Sequence, residues 1–89
     1  MVKKRRKLNK DFEKQIYSSK KNVELVLAKI YDIDDEDIQK EYMIAFRGVE
    51  ELFVELKEDY EKQGFNDNSE ELFIYYKDAF NLFESEFEI

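Results

Sequence analysis

Histidine and cysteine are both absent from these 89 residues. The commonest general base and metal ligand is therefore missing, and so is any thiolate. What remains is carboxylate chemistry, and its most ordered set is Glu51, Glu55 and Glu58. Spacings of four and three put these three side chains on one face of a helix. Helical carboxylate rows can hold Mg²⁺, and with histidines they hold di-iron clusters inside bundles. Either use needs the row to point inward at a facing acidic row. This row lies opposite the apolar stripe of its own helix, so it should face water. No glycine-rich phosphate loop is present. The expected role of the row is an acidic partner-binding surface, and no enzyme is expected.

A second acidic pattern, Asp32, Asp34 and Glu36, alternates like the start of a calcium-binding EF-hand loop. Its mechanics fail. The sixth position is Asp37 where glycine is needed for the turn, and the twelfth is Met43 where a bidentate glutamate is needed. Helix-entry chemistry fits better, with Asp34 as N-cap and Asp35, Glu36 and Asp37 against the positive end of the dipole. No metal and no cofactor are expected.

The third candidate is cationic. Lys3, Lys4, Arg5, Arg6 and Lys7 form an unbroken run, with Lys10 just beyond it. Like charges repel one another and oppose the positive end of a following helix. Residues 1–8 therefore read as a flexible arm, one that solubilises the chain, folds back onto its acidic helices, or contacts nucleic-acid phosphates. Residues 1–22 carry a balance of +7 and residues 23–89 one of −14, within a net charge of −7. An acidic body of this kind repels nucleic acid and suits a basic protein partner.

The elements that position these groups are helical. Proline is absent and there are only two glycines, so few places can break a helix. Phe12, Ile16, Ser19, Val23, Val26 and Ile30 recur by fours and threes, which predicts a first helix over about 9–31 capped by Asn9. Tyr17 and Leu25 fall off that stripe. Ile38, Tyr42, Ala45, Val49, Leu52, Leu56 and Tyr60 predict a longer central helix over about 35–63, broadened on one side by Phe46 and Phe53. Its glycine, Gly48, is expected to allow close approach of a neighbouring helix. Gly64 is expected to end it in a Schellman-type cap. Asn68 paired with Glu71 predicts the start of a third helix over about 69–87. Apolar residues there cover about half the circumference, more than two neighbours need. Either the aromatics fill a wide gap between helices, or the face meets a second chain as a homodimer.

Together these features predict an all-α, antiparallel three-helix bundle over residues 9–89 with a long central helix. Fourteen aromatics supply core volume to a chain short for its fold. No apolar run reaches membrane-span length, and Asp11 and Glu13 follow the basic start where a secretory signal would be apolar. The cytoplasm is the expected location. The expected function is a small acidic interaction or inhibitor protein. Its partner-binding groups would be Glu51, Glu55 and Glu58, with Met43, Val54, Tyr75 and Leu82 as apolar contacts. One concrete form is a mimic of nucleic-acid charge that blocks a basic groove, as anti-restriction, anti-CRISPR or antitoxin proteins do. The alternative is a nucleic-acid-binding accessory protein acting through Lys3, Lys4, Arg5, Arg6, Lys7 and Lys10.

Overall fold

The computed structural model describes residues 8–87, which form three helices joined by two short turns: α1 (Lys10–Tyr31), α2 (Glu36–Gln63) and α3 (Asp67–Glu86). The basic run at Lys3 to Lys7 lies outside the described residues. Short turns make successive helices antiparallel neighbours, and the all-α bundle expected from periodicity is the observed fold. At 28 residues α2 is the longest element and the one against which both others pack.

Aromatic rings set the register of α2 against α3. Tyr42 meets Phe87 at 4.8 Å between ring centroids, Phe46 meets Phe83 at 4.8 Å, and Phe53 meets Tyr76 at 5.5 Å. Each step of four or seven residues down α2 is matched by an equal step up α3. That is what two antiparallel helices of equal rise require. Ring pairs of this kind add about 0.5–1.5 kcal/mol each beyond the area they bury. Phe46, Ile30 and Leu56 are wholly inaccessible and mark the centre of the core.

The buried face of α2 is Phe46, Val49, Phe53 and Leu56. It is rotated from the stripe the spacing predicted: Tyr42, Ala45, Leu52 and Tyr60 are only half-buried, and Ile38 is exposed. A helix with two neighbours centres its buried face between them, and the largest side chains win that position. In α1 most of the predicted stripe is buried (Phe12, Ser19, Val23, Val26 and Ile30), Ile16 is half-buried, and Tyr17 and Leu25 are exposed.

Several helix ends differ from their sequence-based assignment. Asn9 caps α1 as expected, accepting from the Phe12 N–H at 3.0 Å. Asp35, one residue past the expected Asp34, caps α2 by accepting from the N–H groups of Asp37 and Ile38. The C-terminus of α1 is closed by a side chain of the next helix: Gln39 Nε2 donates to the carbonyls of Ile30 and Tyr31, both at 3.1 Å. Asn66 caps α3 in place of Asn68. It accepts from the Ser69 N–H at 3.0 Å, while its own N–H donates to Ser69 Oγ at 2.9 Å. That reciprocal box starts α3 at Asp67, two residues before the predicted start. Asp59 gathers the turn by accepting from the side chains of Gln63, Asn66 and Asn68. Gly64 has φ 73° and ψ −161°, outside the left-handed helical region of a Schellman cap. Only glycine reaches that conformation cheaply.

The two remaining helices stay apart. Nowhere do Cα atoms of α1 and α3 come within 8 Å of each other. They touch through side chains, with Phe12 and Phe73 rings at 5.4 Å and the Tyr76 hydroxyl donating to the Ser19 carbonyl at 3.4 Å. An open groove of about 620 Å³ runs between them over a floor of Val26, Phe73, Tyr76 and Phe80. On α3, Leu72, Tyr76 and Phe83 are buried, while Ile74, Tyr75 and Leu82 remain more than half exposed.

Candidate functional site: the outer face of α2

Glu51, Glu55 and Glu58 are all exposed on α2, on the side turned away from the bundle. They are held there by the opposite face. With Phe46, Val49, Phe53 and Leu56 buried, positions 51, 55 and 58 point to water at 100° per residue. Val54 and Ile44 share that face, 51% and 67% exposed, and Met43 borders it. The surface so formed is an acidic strip with an apolar seam, continuous from Met43 to Glu58. At 1.5 Å per residue it is about 22 Å long.

Two members were not among the expected site residues. Glu50 is half-buried at the edge of the strip, adding a fourth carboxylate. Arg47 lies within it, with Nε 4.0 Å from Glu51 Oε1. Both side chains of that pair are more than 70% exposed, so the pair contributes little stability. Helical spacing could have found both residues: Arg47 is one turn before Glu51, and Glu50 is seven positions past Met43.

The other expected contacts fall elsewhere. Met43 is partly buried and packs against the core, so it offers an edge and not a free side chain. Tyr75 and Leu82 are exposed on α3, 51% and 59%, and do not join the α2 strip. Lys10 is exposed at the first position of α1. Gly48 is not the close-approach site expected, because a Cβ built there meets nothing within 4 Å.

Tyr76 is an ionisable group whose environment clearly perturbs it. Burial pushes its phenol above the ordinary 10.0, and the nearby negative charge of Glu84 acts in the same direction. Its hydroxyl is held against the Ser19 carbonyl inside the core, as expected of a structural tyrosine. Among the described residues no group of three or more carboxylates is placed to hold a metal ion. None of the described helices is long and apolar enough to cross a membrane. Neither a protein-family model nor a curated protein nor a solved structure matches the chain, so function has to be derived from the α2 face itself.

Proposed function

We propose that this chain is a small interaction protein of inhibitor type that docks the outer face of α2 onto a basic surface of a protein partner. The observation that carries this reading is the strip itself, where Glu50, Glu51, Glu55 and Glu58 frame Ile44 and Val54 on one exposed helix face. Four carboxylates between positions 50 and 58 span about 12 Å of helix axis, a mean spacing of about 4 Å. One strand of duplex DNA carries a charge per 3.4 Å of axis. A groove built to hold a phosphate strand therefore meets a similar charge density on α2, and the apolar seam supplies area that a nucleic acid would not. Charge at this density acts mainly on the rate of encounter, raising it at low salt.

The test is a triple substitution, Glu51→Gln, Glu55→Gln and Glu58→Gln, in the full chain. All three residues are exposed, so the helicity and melting of the variant should match the parent. Tagged parent protein, incubated with lysate of its native host, should retain a basic protein that duplex DNA displaces. The triple variant should lose that retention, with association slowed roughly ten-fold or more at low salt. Retention unaffected by the substitutions rejects the α2 strip as the interface. Retention that salt disrupts but DNA does not would leave acidic docking standing and reject nucleic-acid mimicry.

A further inference from the structure

The acidic strip has a complement on the opposite side of the same molecule. The groove between α1 and α3 lies on the side of the bundle away from α2, and the strip lies on the side of α2 away from the core. Along α1 the groove is bordered from Lys14 to Lys29, fifteen residues or about 22 Å, which is the length of the strip from Met43 to Glu58.

The charges of the two surfaces are complementary: Lys14, Lys29 and Lys77 border the groove with Glu84, and the strip carries Glu50, Glu51, Glu55 and Glu58 with Arg47. Lys14 and Lys77 lie near one end of the groove: Lys14 is two residues from Phe12, and Lys77 Nζ sits 5.7 Å from the Phe73 ring that Phe12 touches. Glu84 is seven residues further along α3, about 10 Å, and the exposed Leu25 borders that end on α1. The strip has Glu55 and Glu58 at one end, with Arg47 and Ile44 at the other. Laid into the groove antiparallel to α1, α2 of another copy sets Glu55 and Glu58 at the level of Lys14 and Lys77. Arg47 then falls level with Glu84, and Ile44 within a turn of Leu25.

We infer that the chain associates with itself head to tail, the α2 strip of one copy seated in the α1–α3 groove of the next. The two surfaces differ, so the contact is heterologous and a pair of copies retains one free groove and one free strip. A single helix in a shallow groove falls below the area of a stable interface, so the association is weak and salt-sensitive. It occupies the strip assigned to the basic partner, so self-association and partner capture exclude each other. It does not require that partner to exist.

Sedimentation velocity of the full chain tests this without any partner. In about 0.01 M salt, where the screening length is about 30 Å, the weight-average sedimentation coefficient should rise with protein concentration. In about 1 M salt, where that length is about 3 Å, the chain should sediment as a monomer. A groove variant, Lys14→Glu with Lys77→Glu, and a strip variant, Glu55→Lys with Glu58→Lys, should each be monomeric in low salt. Mixed in equal amounts they should associate again, because each then finds an oppositely charged surface on the other. All four residues are exposed, and circular dichroism should show unchanged helicity. A parent chain that stays monomeric in low salt overturns the inference, as does association that survives in either variant alone. So does a mixture that fails to recover. The first of these outcomes would leave the partner-docking function untouched.

Discussion

Replacing Gly48 with alanine should make this protein more stable. Glycine inside a helix costs about 0.8–1.0 kcal/mol relative to alanine, because the unfolded chain loses more freedom when it is ordered. That gain is realised only where a methyl group fits. Gly48 is exposed in the middle of α2, its backbone is not in the left-handed region, and a Cβ there meets nothing within 4 Å. None of the transfer is therefore lost to overpacking, and the full propensity difference of about 0.8–1.0 kcal/mol is expected. For a domain of this size each kcal/mol moves the midpoint by about 4–8 °C, so Gly48→Ala should melt roughly 3–8 °C higher. Urea titration followed by circular dichroism should show a higher midpoint at an unchanged slope, since the surface exposed on unfolding hardly alters. A lower melting temperature would refute the reasoning, because it would mean that something packs against Gly48. An unchanged one would mean that helix propensity does not govern this position.

Phe46 is wholly buried among Phe80 and Phe83, so Phe46→Ala should cost about 3–5 kcal/mol, read as a lower urea midpoint. A fold of this size holds only about 4–13 kcal/mol in all, so that substitution removes a large share of the stability. Asn66→Ala removes the capping box of α3 and should cost about 1 kcal/mol, whereas Asn68→Ala should cost less. Because the folded pKa of Tyr76 is raised, its contribution is fully present below about pH 10 and is lost as pH rises through the folded value. Helicity followed by circular dichroism should therefore fall in alkali, and Tyr76→Phe should carry it to higher pH; identical curves would exclude Tyr76 as the cause. If the basic run binds nucleic acid instead, retention on duplex DNA should fall with salt at a log–log slope near −4 to −5. Deleting residues 1–8 should abolish that retention, and no retention of the parent at low salt would eliminate the alternative.

The helices themselves were legible because their signals are local. Apolar residues every three or four positions, no proline, and turn chemistry at Asp32–Asp35 and at Gly64 restrict the chain to three helices before any packing is considered. The outward aim of Glu51, Glu55 and Glu58 followed from the same arithmetic, since a residue opposite a buried stripe must face water. Helix ends were less legible. Asp34 and Asp35 are chemically equivalent caps, as are Asn66 and Asn68. The choice between them depends on where the turn brings Gln39, Asp59 and Ser69.

What tertiary structure decided is how the faces share their neighbours. Spacing could not place the centre of α2's buried face at Phe46 and Phe53, because that centre depends on two helices arriving from different directions. Nor could it settle Gly48, whose use depends on whether a neighbour comes close, and none does. The gap between α1 and α3 is equally invisible in the sequence. Phe73, Tyr76 and Phe80 line it, and their meeting with α1 depends on how both helices pack on α2, not on the period of either. Periodicity along one helix determines which side chains point outward; only packing determines what lies opposite them.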